Sequence, residues 1–159
     1  MPPPLLIDLS NVDLESACLS KTDIYRRLPH RFEFQLLDGI CTADHPGGGG
    51  IAFADIRSDD WWVRGHVEGR PLLPGVLMLE MAGQTAAALA AFGGHQDAFI
   101  AFGGVDRCKF RDSVVPPARL HILCVLVENR ARRIIAQTQG VVDGRVVFEA
   151  RITGMAMPE

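Results

Sequence analysis

Two features that mark large classes of proteins are missing from this 159-residue sequence: long apolar runs and a surplus of basic charge. No apolar stretch approaches the roughly 20 residues that a membrane-spanning helix needs. The net charge of −3 gives no bulk basicity for binding nucleic acid. The N-terminus has no basic region before its short apolar patch, so it does not resemble a signal peptide. We therefore expect neither a membrane nor a nucleic acid as a partner.

Paired cysteines and clustered metal ligands are also missing. The cysteines stand far apart, without a C-x-x-C pair or zinc-type spacing: Cys18, Cys41, Cys108 and Cys124. No two of the histidines at positions 30, 45, 95 and 121 lie close in sequence, so no metal site is predicted. Reduced thiols in apolar sites are the simplest interpretation of the cysteines. They predict a cytoplasmic location.

The length predicts one domain preceded by an arm. Residues 1–22 begin with three consecutive prolines at positions 2–4 and are interpreted as an extended arm. Residues 23–159 are interpreted as the single domain. Near its start we predict a short helix over residues 24–28, which stops before Pro29, and a strand over residues 32–41.

The segment from Gly75 to Phe92 carries the clearest helix pattern. It contains no proline, and Pro74 before it and Gly93-Gly94 after it are typical helix boundaries. Apolar residues surround it almost completely, which predicts a buried helix. Later segments have the composition of strands, and Asp143-Gly144 indicates a tight hairpin. These elements predict an α+β fold, with a curved antiparallel sheet around one long helix.

A base, a helix start and an acid follow one another within fifteen residues. His66 stands after a glycine, and an ordinary histidine pKa of ~6.5 suits proton removal at neutral pH. At Gly75 the free N–H groups and the positive helix end favour a developing negative charge. Glu80 lies on the apolar helix, where we expect burial to keep its carboxyl protonated. These are the groups needed to remove a proton beside a carbonyl.

Simpler interpretations of the same residues exist. A lone loop histidine is often only held by a hydrogen bond, and a helix glutamate often reaches solvent. Gln84 lies one helical turn beyond Glu80, where its amide is within reach of the carboxyl. An orienting role and a plain polar role in the core are nearly equal alternatives for Gln84.

Several blocks, in order, resemble the 3-hydroxyacyl-[acyl-carrier-protein] dehydratases of fatty acid synthesis. The resemblance covers roughly residues 22–157, and the spacing of fourteen between His66 and Glu80 is the family's own. The blocks are Leu28-Pro29-His30-Arg31-Phe32, Gly65-His66, Pro74-Gly75-Val76-Leu77, Glu80-Met81-Ala82-Gly83-Gln84, Gly104-Val105-Asp106, Lys109-Phe110-Arg111, Val114-Val115-Pro116 and Val142-Asp143-Gly144.

The resemblance implies a hotdog fold and a homodimer with a continuous sheet, often assembled into a trimer of dimers. It implies an active site at the dimer interface and no cofactor. His66 would take the C2 proton, the Gly75 amide would hold the thioester oxygen, and Glu80 of the other subunit would protonate the departing hydroxyl. The substrate would arrive on acyl carrier protein, in fatty acid or related lipid synthesis. The His30 block is interpreted as structural, packing near the site rather than reacting.

Two alternative functions stay open. Val67-Glu68 stand where the family has an aromatic residue and a proline after the histidine, which favours a non-catalytic acyl-binding protein as one alternative. A hotdog acyl thioesterase is the other.

Acyl carrier protein is acidic, and two basic clusters are candidates for binding it. They are Arg107, Lys109 and Arg111, and Arg130, Arg132 and Arg133.

Overall fold

A computed structural model describes residues 1–95 and 98–158 and shows a sheet of seven strands together with three α-helices in that part of the chain. The elements in chain order are β1 (Leu19–Ser20), α1 (Lys21–Arg27), a 3₁₀ turn (Phe32–Phe34), β2 (Gly39–His45), β3 (Gly49–Ile56), α2 (Val63–His66), α3 (Gly75–Phe92), β4 (Phe99–Phe110), β5 (Ala118–Arg130), β6 (Arg133–Val142) and β7 (Arg145–Met157).

The predicted α+β architecture is confirmed. The strands pair antiparallel in the order β1-β2-β3-β5-β6-β7-β4, and α3 packs against the sheet. Among the described helices, α3 is long and apolar enough to cross a membrane, with a mean hydropathy of 1.4. However, 67% of it is buried inside the protein, so α3 serves as the core helix. Its run of alanines lets the strands approach closely.

Local sequence signals predicted some element boundaries well. The helix bounds Gly75 and Phe92 agree with the prediction. Asp143 and Gly144 both have positive φ, 48° and 75°, as a tight two-residue hairpin requires. The first helix starts three residues earlier than predicted, because the Ser20 side chain caps it in a capping box.

The strand predicted over residues 32–41 is wrong in its first half. Phe32 has a φ of 54°, and Phe32–Phe34 form a 3₁₀ turn, so the strand begins only at Gly39. The carbonyl of Phe34 accepts a hydrogen bond from the Gln84 side chain on α3, over 2.9 Å. This contact comes from a residue fifty positions away, and no local pattern reports it.

The first residues of the chain pack on the side of the sheet opposite α3. Ile7 is 4% exposed and lies in a small apolar cluster with Ile51, Leu123 and Val141. The Gln139 side chain binds the backbone on both sides of Leu5: its oxygen accepts from the Leu6 N–H, and its nitrogen donates to the Pro4 carbonyl, each over 2.9 Å. β1, within the predicted arm, pairs with β2. The domain boundary at residue 22 stays a prediction.

Candidate active site

Glu80 lies at the wall of a cavity between the core helix and the sheet. The cavity has a volume of about 180 Å³, and its walls come from α3, β4, β6, β7 and His30. The lining is mainly apolar, and the Glu80 side chain is 27% exposed. The helix thus presents one carboxylate to a largely apolar space.

His30 contacts this carboxylate directly. Its Nε2 lies 3.2 Å from Oε1 of Glu80, while its Nδ1 is buried and has no partner among the described residues. The neutral tautomer with its proton on Nε2 matches these contacts, because it donates to Glu80 and leaves only a lone pair unpaired. Arg31 holds the loop that carries His30 by donating to the carbonyls of Tyr25, Leu28 and His30.

Gln84 supplies a second donor to Glu80. Its Nε2 donates to Glu80 Oε1 over 2.9 Å, so the predicted contact is present. The same nitrogen also donates to the Phe34 carbonyl over 2.9 Å, and Gln84 is 1% exposed. Both amide hydrogens are therefore engaged, and the buried amide is held in one orientation.

Tyr25 of α1 completes a chain of hydrogen bonds that ends at Glu80. Its hydroxyl accepts from the Leu37 N–H over 2.8 Å and donates to Gln84 Oε1 over 2.6 Å. Burial raises the pKa of this hydroxyl well above its usual range, so it stays a donor at every physiological pH. The carboxylate is thus connected, through two side chains, to the backbone before β2.

The electrostatics of Glu80 correct one expectation. We expected burial to keep the carboxyl protonated, but its pKa is lowered. The hydrogen bond with His30 is the largest cause, and the Gln84 amide adds to it, while desolvation acts in the opposite direction. Two donors aimed at a half-buried carboxylate stabilise its charged form more than burial penalises it.

His66 lies elsewhere in the protomer. It is the last residue of α2, its side chain is exposed, and it does not line the cavity beside Glu80. Its N–H donates to the carbonyl of the buried Trp62 over 2.9 Å, which anchors the helix but leaves the imidazole free of hydrogen bonds to the described residues. One protomer therefore does not bring His66 and Glu80 together.

Gly75 begins α3 with its N–H free of hydrogen bonds to the described residues. A Cβ at this position would lie 2.9 Å from the ring of Phe110, so only glycine fits without moving that ring. Gly75 and Glu80 are five residues apart, and ~100° per residue places them on different faces of the helix. Gly75 and Glu80 of one chain thus lie on different faces of α3.

The cysteines do not offer a reactive nucleophile. All four are free, and burial raises the pKa of Cys41 to about 11 and that of Cys124 to about 12. A thiol with such a pKa is not ionised at neutral pH. In the described part of the chain, no group of three or more histidine, cysteine or acidic side chains is placed to hold a metal.

The sequence places the His30 block near the site in a structural role, and His30 does lie beside the site, in contact with Glu80. Tyr25 is a residue of the site that the sequence analysis does not identify. One signal is present, since Tyr25 is the only tyrosine in the sequence and follows the apolar Ile24 in a short predicted helix, and a buried tyrosine hydroxyl needs a partner. The identity of that partner depends on how α1 packs on α3.

The sequence is similar to a family of known enzymes over most of its length. A family model described as the FabA-like domain matches residues 28–151. Proteins named 3-hydroxyacyl-[acyl-carrier-protein] dehydratase FabZ from Syntrophotalea carbinolica and Enterococcus faecalis are 31% and 35% identical, over 86% of this chain and 93% and 97% of theirs. One from Agrobacterium fabrum is 33% identical, over 86% of this chain and 89% of its own.

Solved structures share the fold at lower identity. The dehydratase heterocomplex ApeI:P from Xenorhabdus doucetiae matches with a TM-score of 0.72 and 15% identity, over 86% of this chain and 91% of that one. A hypothetical thioesterase with coenzyme A from Streptococcus pneumoniae matches with a TM-score of 0.63 and 11% identity, over 88% and 98%. At these identities the likeness concerns the hotdog fold alone.

Proposed function

The chain belongs to the FabA-like domain family, and we propose from this membership that it is a hydro-lyase acting on 3-hydroxyacyl-[acyl-carrier-protein]. The product is the trans-2-enoyl thioester, made in fatty acid or related lipid synthesis. The observation that carries the proposal is the carboxylate of Glu80, held by His30 and Gln84 at the wall of an apolar cavity. An acyl chain needs such a cavity, and departure of a hydroxyl needs an acid within it.

In the substrate the C2–H and C3–O bonds break, and the second C2–C3 bond and one O–H bond of water form. His66 removes the proton from C2, and the electron pair of that C–H bond becomes the second bond between C2 and C3. The hydroxyl leaves C3 and takes a proton from Glu80 as water. The free N–H of Gly75 donates to the thioester oxygen, where negative charge develops as the C2 proton departs.

The site is completed by a second copy of the chain. Strand β4 lies at one edge of the sheet, and Phe99, Phe102 and Phe110 on it are exposed. A long apolar edge strand normally needs cover. Pairing of β4 with its symmetry mate makes one continuous sheet and brings the second copy beside the cavity of Glu80, which β4 lines. His66 of the partner subunit then faces Glu80. Assembly into a trimer of dimers stays a prediction.

Dimer formation also favours the protonated form of Glu80. Its pKa is lowered in the single protomer, whereas an acid must carry its proton to deliver it. A partner subunit and an acyl chain exclude water from the cavity, which favours the neutral carboxyl. The acid form of Glu80 is thus a property of the assembled, occupied site.

Acyl carrier protein is the proposed carrier of the substrate, and the cytoplasm the proposed location. Of the two basic clusters, the one on β4 keeps more free charge. Arg130 and Arg133 both contact Glu128, at 3.8 and 2.8 Å, whereas in the β4 cluster only Arg111 has an acidic partner among the described residues, Glu149. The exposed Arg107 and Lys109 are therefore the better contacts for an acidic partner.

Hydration of an enoyl thioester, the reverse reaction, tests this function. Purified protein is given crotonyl-CoA and an enoyl chain on carrier protein, and the ultraviolet absorbance of the conjugated double bond is followed together with free thiol. We expect absorbance to fall without thiol release. His66→Ala and Glu80→Gln should each lower the rate by about 10²–10⁴-fold. Thiol release would identify a thioesterase, and acyl binding without any reaction would identify a non-catalytic protein.

Mixing the two variants tests the shared site. An exchanged dimer of His66→Ala with Glu80→Gln has one site with both native residues and one with neither. Random exchange should therefore restore about one quarter of the wild-type rate from two nearly inactive proteins. A mixture that stays inactive although subunits have exchanged would contradict a site built from two chains.

A further inference from the structure

We propose that Tyr25 is a positioning residue for the carboxyl of Glu80, acting through the Gln84 amide. The inference rests on the proposed function only for the meaning of Glu80, because the contacts themselves are independent of any substrate. Among the described residues Tyr25 does not line the cavity, and its hydroxyl bonds to Gln84 and Leu37, not to Glu80. Its ring also packs edge-on against His30, with the centroids 6.4 Å apart. The hydroxyl, in contrast, reaches Glu80 through the Gln84 amide.

Groups that can only donate or only accept determine the directions of the hydrogen bonds from Leu37 to Glu80. The Leu37 N–H is only a donor, so the Tyr25 oxygen accepts there and its single hydrogen points to Gln84. The Phe34 carbonyl is only an acceptor, so it takes an N–H of Gln84. The amide oxygen of Gln84 must therefore face Tyr25, and the remaining N–H must face Glu80.

Without the Tyr25 hydroxyl, two buried groups lose their partner at once. These are the amide oxygen of Gln84 and the N–H of Leu37. These two groups can pair with each other if the Gln84 oxygen moves towards Leu37. This pairing is favoured because an unpaired buried polar group is costly. That movement draws the Gln84 nitrogen away from Glu80. The carboxylate then keeps only the donor from His30.

Tyr25→Phe removes the hydroxyl and keeps the ring, which is 5% exposed and packed in the core. The pKa of Glu80, measured by carbon-13 NMR and assigned with Glu80→Gln, should rise by about half a unit to one unit. In the hydration assay kcat should fall about 3- to 10-fold with KM within about twofold, since the acid is misplaced while the cavity is unchanged.

A double variant shows whether the effect passes through Gln84. In a Gln84→Ala background, Tyr25→Phe should move the pKa of Glu80 no further. Thr138→Val is the control for lost stability, because it removes a buried hydrogen bond, from Thr138 Oγ1 to the Ala150 carbonyl over 2.7 Å, between two residues that do not line the cavity. It should lower the Tm without moving the pKa of Glu80.

Because the chain has one tyrosine, growth on 3-fluorotyrosine labels Tyr25 alone and keeps the hydroxyl. Its fluorine-19 resonance should follow the ionisation of Glu80 in otherwise native protein and lose that response in Gln84→Ala. This measurement decides the matter if Tyr25→Phe does not fold.

Any of three results would overturn the positioning role. They are an unchanged Glu80 pKa in folded Tyr25→Phe, an additive pKa shift in the double variant, and a fluorine resonance that does not respond to the ionisation of Glu80. If wild type does not hydrate enoyl thioesters, the proposed function fails instead. The pKa results still decide the role of Tyr25.

Discussion

Nε2 of His30 lies 3.2 Å from Oε1 of Glu80, and this contact is the largest single cause of the lowered pKa of the carboxyl. The contact joins the loop after α1 to the middle of α3. It also places the one buried nitrogen without a partner among the described residues, Nδ1 of His30, beside the proposed acid. The state of Glu80 therefore depends on a residue outside its own helix.

Replacing His30 should raise the pKa of Glu80. In His30→Ala the carboxylate loses its strongest donor, and this loss favours the protonated form. Carbon-13 NMR titration of the Glu80 carboxyl measures the shift. His45→Ala, at the end of β2, is the matched control and should leave the pKa unchanged. Equal pKa values in wild type and His30→Ala would contradict the assigned cause.

The pH dependence of stability should show Glu80 as a stabilising carboxylate. Its folded pKa lies below the unfolded value of ~4.3, so its contribution is present above that value and is lost as pH falls through the folded pKa. Glu80→Gln has no ionisable carboxyl at this position, so its free energy of unfolding lacks this pH-dependent contribution. The free energy of unfolding of wild type minus that of Glu80→Gln should therefore decrease between about pH 6 and pH 3.

Urea denaturation at constant protein concentration measures this difference, since other carboxylates titrate alike in both proteins. A difference that stays constant or grows on acidification would show that the carboxyl is not stabilised in its charged form.

Charge reversal on β4 should weaken use of the carrier-bound substrate selectively. The double variant Arg107→Glu with Lys109→Glu removes the free positive charges of the β4 cluster, so KM for the enoyl carrier protein should rise about 5- to 20-fold at low salt. KM for crotonyl-CoA should change far less. Arg130→Glu is the control, because Arg130 already contacts Glu128. Equal effects of the two variants would contradict the choice of cluster.

The packing of the arm should contribute to stability. Ile7→Ala removes a side chain that is 4% exposed and should cost about 1–3 kcal/mol, less than a typical core truncation because the arm is free to separate from the sheet. Leu5→Ala, at a side chain 38% exposed, should cost less than about 0.5 kcal/mol. Thermal or urea unfolding measures both. Similar losses of unfolding free energy in the two variants would show that the packing of the arm does not depend on Ile7.

Local patterns were sufficient where local interactions decide the structure. The bounds of α3 follow from its alanine-rich composition and from the proline and glycines at its ends. The hairpin at Asp143-Gly144 follows from the need for two positive φ angles. The contact between Gln84 and Glu80 follows from helical spacing. Each of these depends on residues that are neighbours in sequence.

The 3₁₀ turn at Phe32–Phe34 and the state of Glu80 did not follow from such patterns. Both depend on contacts between α3 and the first helix or its loop, in which the paired residues are fifty or more positions apart in sequence. Burial alone predicted a protonated acid, because the sequence does not report which donors will meet the carboxyl.

By itself the sequence determined the core helix, the hairpin and the family, through residue types at fixed spacing. Only the tertiary structure decided that His30 and the Gln84–Tyr25 chain surround Glu80, and that His66 lies apart from it in one protomer. The physical reason is that hydrogen bonds and desolvation act over a few ångströms, whatever the distance along the chain. The charge on Glu80 is therefore a property of the packed fold.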